Sequence, residues 1–183
     1  MKWIIDKQFD FCYGHRVWSQ SLEIDYSLDA CLMCRHLHGH QGRIKVFLEA
    51  EQLQNGMVTD FKHLNWFKRW LDDVLDHKFI IDRSDPLFFD LMSHYCTDGQ
   101  MDETKFFFHE EAYWTPRLEV VEDAIDAIRE KYEGMVVVDF VPTSENLTAW
   151  LLRIVQAKMA PLGVKVYSIE FWETPKSHCE LRA

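Results

Sequence analysis

Apolar and polar positions alternate with a period of two along the start of the chain. Phe9, Phe11, Tyr13 and His15 fall on one face, with Asp10, Cys12 and Gly14 on the other, the pattern of a strand with one buried side. That strand is predicted over residues 3–15. A loop of small and polar residues, about 19–32, leads to a second alternating stretch over 38–51. There His38, His40, Ile44, Val46 and Leu48 share one face, and Gln41, Arg43, Lys45 and Glu49 the other. Both histidines therefore lie on the apolar side.

The period then changes. Asn55-Gly56 signals a turn, and Asp60 stands as an N-cap before Phe61, Leu64, Phe67, Leu71, Val74 and Leu75 at helical spacing, predicting a helix over 61–75. A second helix opens at Pro142-Thr143-Ser144-Glu145, with Thr143 or Ser144 as cap and Leu147, Leu151, Ile154 and Val155 as its buried stripe. Pro161 and Gly163 end it. A strand over 164–173 follows, and Pro175-Lys176 turns it into a short terminal strand. Between 82 and 138 the pattern is less regular. It holds an aromatic cluster, Phe106 to Phe108 with Tyr113 and Trp114. Thr115-Pro116 then opens an expected helix with Leu118, Val121, Ile125 and Ile128 inward, ended by Gly134, and a strand is expected over 135–141. This exceeds what a connecting loop needs. The expected organisation is one domain, residues 1–183, with an elaboration at about 83–138 on a smaller α+β core.

Composition narrows the classes of function. The 183 residues are 48% hydrophobic with seven glycines, a globular balance, and carry a formal charge of -10. An acidic surface repels phosphate backbones, so no nucleic-acid partner is expected. Charged residues at positions 2, 6, 7 and 10 leave no apolar signal segment, and no stretch reaches the length of a membrane span. A cytoplasmic protein without a membrane partner is expected, its five cysteines reduced.

The densest chemical signal is Cys31-Leu-Met-Cys34-Arg-His-Leu-His38-Gly39-His40. Histidines two apart on a strand project to one face roughly 6 to 7 Å apart, close enough to share a metal. His15, at the end of the neighbouring strand, is the natural third ligand. Three neutral nitrogens leave a fourth tetrahedral position open, as in a catalytic zinc site. Two other readings stand beside this one. A single histidine on an apolar face is commonly a hydrogen-bonded core residue, and Cys31 and Cys34 with His38 and His40 would make a closed structural Cys2His2 site. A second cluster, Asp76-His77, offers a carboxylate orienting an imidazole that can hold a thiol's proton, or else a solvated helix terminus.

Taken together the motifs resemble the 6-pyruvoyltetrahydropterin synthase / 6-carboxytetrahydropterin synthase family. The resemblance rests on Phe11-x-x-x-His15-Arg16, Cys34-x-x-x-His38-Gly39-His40, Met57-Val58-x-Asp60-Phe61, Leu75-Asp76-His77-Lys78, Pro142-Thr143-Ser144-Glu145-Asn146, and Glu173-Thr174 with Cys179 beyond it. It implies a T-fold, an antiparallel four-stranded sheet packed on two helices. Its subunits join by their sheet edges into trimers or hexamers with active sites between chains. It implies Zn2+ on His15, His38 and His40, Cys34 as the catalytic thiol, and Asp76 with His77 as its activating pair. Glu173 is implied as the anchor of the pterin, and Thr143 and Ser144 as pocket lining. Arg16, beside His15, is the nominee for the substrate's triphosphate.

The implied activity is a lyase reaction on 7,8-dihydroneopterin triphosphate. The branch expected is the one giving 6-carboxy-5,6,7,8-tetrahydropterin, with loss of triphosphate and acetaldehyde, for queuosine and related deazapurines. The alternatives are the 6-pyruvoyl branch, or a non-catalytic protein on the same scaffold with structural zinc. The segment at about 83–138 has no counterpart in the family pattern.

Overall fold

A computed structural model describes residues 2–183. Its elements, in chain order, are β1 (Trp3–His15), β2 (His38–Ala50), α1 (Asn65–Val74), β3 (Lys78–Asp82), α2 (Phe88–Leu91), β4 (Cys96–Thr97), β5 (Gln100–Met101), β6 (Phe106–His109), β7 (Tyr113–Pro116), α3 (Asp126–Glu133), β8 (Met135–Val138), α4 (Ser144–Met159), β9 (Lys165–Thr174) and β10 (Ser177–Arg182). Hydrogen bonding links eight strands in the order β10-β9-β2-β1-β3-β8-β7-β6. The mixed α+β content and the two long helices agree with the expected T-fold, but the expected sheet of four strands is corrected to eight. The added strands join beyond β1, where β3 pairs parallel with Tyr13 and Gly14 and continues into β8, also parallel. Parallel strands are covered on both faces and so read as continuous apolar runs. Phe79-Ile80-Ile81 and Met135 to Val138 are such runs, with Ile80, Ile81 and all four residues of β8 buried.

The protein forms two compact units. The first unit takes the described residues up to Cys12, with His40–Asp76 and Thr143–Ala183. Its core lies between the sheet and two helices. Phe9 meets Phe67 of α1 edge-on with ring centroids 5.3 Å apart, and Trp70 meets Trp150 of α4 at 5.5 Å. Asp60 caps as expected, its Oδ1 accepting from Lys62 N at 2.8 Å. The first turn that follows is 3-10 (Phe61–Leu64) before α1 proper. Thr143 is the cap of α4, accepting from Asn146 N at 3.2 Å. The stripe Leu147, Leu151, Ile154 and Val155 is buried, joined by Trp150 and Met159.

The second unit takes Tyr13–Gly39 and His77–Pro142. It has a core of its own, with Ile81, Phe88, Met92, Tyr95, Phe106 and Tyr132 among its buried members. Here one expectation fails. Thr115-Pro116 does not open a helix, because hairpin pairing takes both residues into β7, opposite Phe107 and Phe106. Leu118–Val121 is a 3-10 turn, α3 begins only at Asp126, and Ile125 is exposed rather than inward. Gly134 ends α3 as expected, and β8 stops at Val138, short of 141. Among the described residues no helix is long and apolar enough to cross a membrane.

Tyr95 is a fully buried titratable group in that second core. Its hydroxyl donates to Arg117 O at 2.9 Å, and burial, aided by the neighbouring Tyr132 and Glu119, pushes its phenol up to about 12. A raised folded value means its contribution to stability is complete below the ordinary tyrosine range and is lost as the pH climbs towards 12. An ultraviolet pH titration is expected to show one late phenolate transition near that value. It should be absent in Tyr95→Phe, which should itself lose about 1 kcal/mol in urea unfolding.

Candidate metal centre and active site

β1 and β2 are neighbours in the sheet, and their meeting point is set by two glycines. A Cβ on Gly39 would stand 2.9 Å from Tyr13 O, and one on Gly14 would stand 2.6 Å from the Phe79 ring. The strands therefore approach more closely here than a larger residue allows. His15, His38 and His40 come together here, one ring nitrogen of each lying within 4.8 Å of the others. His15 is fully buried, and its ring lies 4.6 Å from that of His38.

Two rings have their orientation and tautomer fixed. His15 Nδ1 donates to Pro142 O at 2.6 Å and His38 Nδ1 to His36 O at 2.9 Å. A carbonyl only accepts, so the proton of each neutral ring sits on Nδ1 and its lone pair is left on Nε2. That is the arrangement of metal-ligating imidazoles, whose second nitrogen is held by an outer acceptor. His40 Nε2 lies 3.7 Å from Glu173 Oε1, so the expected substrate carboxylate stands beside the third ring. The donor set fits a divalent transition metal of borderline softness. Among the described residues, His38 and His40 group with His15.

Cys34 sits in a 3-10 turn, Met33–Arg35, and is half-buried. Its peptide is gripped from both sides: Val17 N donates to Cys34 O at 2.7 Å, and Cys34 N donates to Gln20 Oε1 at 3.0 Å. Asp76 and His77 follow the C-cap of α1, and the thiol grouped with them is that of Cys12, with ligand atoms within 4.8 Å. Asp76 Oδ1 also accepts from Cys12 N at 2.7 Å. His77 has φ 59°, a left-handed backbone that a non-glycine residue adopts at a cost of about 1–2 kcal/mol. Thr143 is engaged as the helix cap, and Ser144 Oγ donates to Glu145 Oε2 at 3.3 Å.

Arg16 is buried, and its Nε lies 3.2 Å from Asp85 Oδ2. That pairing occupies one of the three guanidinium nitrogens. Sequence reasoning missed the two carbonyl acceptors, which leave no signature in residue type. It also missed Cys12, which lies on the polar face of its strand, and the carboxylates Asp82 and Asp85. Only the Asp-rich end of the apolar run 79–81 could have signalled the last two.

An α+β sheet packed on two helices, with a three-imidazole cluster where two strands meet, defines a T-fold protein with a candidate metal site. The chain belongs to the 6-pyruvoyl tetrahydropterin synthase family, whose model matches residues 4–183. It is 29% identical over its whole length to a 6-carboxy-5,6,7,8-tetrahydropterin synthase of Aquifex aeolicus, covering 99% of that protein. It is 28% identical over 89% of its length to a putative enzyme of the same name from Pyrococcus abyssi, covering 82% of it. Among solved structures, an uncharacterized protein of Wolinella succinogenes superposes with TM-score 0.94 at 54% identity, with 100% and 98% of the two proteins covered. The 6-pyruvoyl tetrahydropterin synthase of Caenorhabditis elegans superposes at 0.57 and 19% identity, covering 100% and 96%, and so shares the fold. The protein is thus an enzyme of a pterin-processing lyase family.

The close approach at Gly39 yields a prediction. Gly39→Ala has to push the strands apart where the two ligands flank it, and should destabilise the protein by about 1–3 kcal/mol. Urea denaturation midpoints for the two proteins check this.

Proposed function

We propose that the protein converts 7,8-dihydroneopterin triphosphate to 6-carboxy-5,6,7,8-tetrahydropterin, releasing triphosphate and acetaldehyde, in the service of queuosine or a related deazapurine. The observation that carries the reading is the imidazole cluster, with two rings held by carbonyls so that Nε2 is presented. The carboxy branch is favoured over the pyruvoyl branch by the names of the Aquifex and Pyrococcus relatives. His15, His38 and His40 would hold Zn2+, which when bound supplies Lewis-acid polarisation of the hydroxyls on the substrate's tail. Glu173 pairs with the amidine edge of the pterin, fixing which carbon of the tail faces Cys34. Thr143 and Ser144 line the pocket beside it. The Cys34 thiolate removes a C–H proton from that tail, and His77, oriented by Asp76, keeps the sulfur ionised by holding its proton. An internal redox shift then reduces the ring, triphosphate departs, and a water molecule cleaves the bond between the first and second tail carbons, its oxygen staying on the ring-bound carboxyl while the two-carbon remainder leaves as acetaldehyde.

Following the between-chain active sites that the family resemblance implies, we take the pair that serves Cys34 to come from a second copy. The active assembly is then a trimer, or a hexamer of two trimers. Among the described residues, β3 pairs with β1 at Tyr13 and Gly14, and the earlier part of that long strand is the edge we assign to another protomer. The domain is single and cytoplasmic in this reading, with residues 83–138 an elaboration of it.

Purified protein given the substrate should release acetaldehyde with zinc bound at one ion per protomer. A product keeping all three carbons of the tail would instead favour the pyruvoyl branch. Cys34→Ala and His77→Ala should each be inactive, with Cys34→Ala retaining its zinc. Mixed and reassembled, the two variants should recover part of the wild-type rate by pairing intact Cys34 with intact His77. No recovery in confirmed mixed oligomers would overturn the shared site, and a monomer by light scattering would do the same.

A further inference from the structure

The segment that follows the first histidine ligand is pinned by two carboxylates at the root of the inserted region. Arg16 Nε faces Asp85 Oδ2 at 3.2 Å, with 10% and 1% of their side chains exposed, and Trp18 Nε1 donates to Asp82 Oδ2 at 2.9 Å. Both carboxylates are themselves fixed: Asp82 Oδ1 accepts from Ser84 N at 2.9 Å, and Asp85 Oδ1 accepts from Leu87 N at 2.8 Å. Asp85 N bonds back to Asp82 O at 3.0 Å, closing a tight turn at the end of β3. Between the two anchored residues, Val17 N holds Cys34 O, and two residues beyond Trp18, Gln20 Oε1 accepts from Cys34 N. The guanidinium of Arg35 donates to Gln20 O, tying the next residue of the same turn to the same template.

We propose that Asp85, with Asp82, is a positioning residue that sets both the His15 ligand and the Cys34 peptide by pinning residues 16–18. The assignment rests on the proposed zinc site and gives the inserted segment a task at it. A buried ion pair holds its geometry because removing one partner strands a charge in a place where water cannot relieve it. A tether placed one residue from a ligand and one residue from the amide that grips Cys34 transmits any slack to both.

The test compares wild type, Asp85→Asn and Tyr95→Phe by zinc competition with a chelator, by the visible absorption of the Co2+-substituted proteins, and by mass-spectrometric alkylation of Cys34 relative to Cys31. Asp85→Asn retains an oxygen acceptor for Leu87 N while leaving Arg16 without its counter-ion. Zinc affinity is expected to fall about 10- to 100-fold, with an altered Co2+ spectrum and a raised Cys34-to-Cys31 alkylation ratio. Tyr95→Phe, a loss within the same core, should move none of the three. Should Asp85→Asn fail to fold, Arg16→Gln/Asp85→Asn removes both charges and must show the same losses. A folded variant with unchanged affinity, spectrum and alkylation ratio overturns the proposal. If wild type itself binds no zinc, the proposed function falls, and the alkylation ratio alone decides the tether.

Discussion

The hydrogen bond from His15 Nδ1 to the carbonyl of Pro142 is the constraint on which the site depends. It joins the end of β1 to the residue just before the cap of α4, 127 positions away in sequence, and it decides which nitrogen of a fully buried ring carries the proton. Free rotation of that ring would present either nitrogen, and a cluster of three imidazoles would then have no defined donor set. The Pro-Thr-Ser-Glu segment thus has two tasks. Its proline offers a carbonyl to a histidine, and its threonine starts a helix whose buried stripe anchors the segment.

Much of this was legible from residue patterns because each reading had a period and a punctuation mark behind it. β1, β2, β9, α1 and α4 appear close to their expected bounds, and the shared face of His15 with three aromatics emerges as a shared burial. What escaped was set by pairing between distant segments. Lys78–Asp82 is too short to announce itself, and Thr115-Pro116 has the chemistry of a helix start but is claimed by its hairpin partner. The site was legible in its side chains and illegible in its carbonyls. Arg16 is the converse case: the sequence shows the cation beside His15 but not the buried Asp85 opposite it.

The segment 83–138 therefore does more than lengthen a sheet. It brings a complete core with its own aromatic cluster, Tyr95 against Tyr132 at 4.7 Å and against Phe106 at 5.2 Å. It leaves two carboxylates at its root facing the end of β1. A segment with its own apolar centre can be rigid without borrowing stability from its host, and rigidity is what an anchor for a ligand-bearing strand requires.

Among the described non-glycine residues with left-handed backbones, Asn55 and Asp98 each precede a glycine and Ala112 sits in the tip of a hairpin, all ordinary turn positions. His77 is the exception, a bulky ring held in a conformation better suited to glycine or asparagine. Any redesign guided by thermal tolerance alone would select that position early, since glycine there relaxes the backbone. It would deliver a sturdier molecule with its imidazole gone. On the role proposed for His77, robustness and reactivity are set against each other at this one residue, and a ranking by melting temperature would read the loss as an improvement.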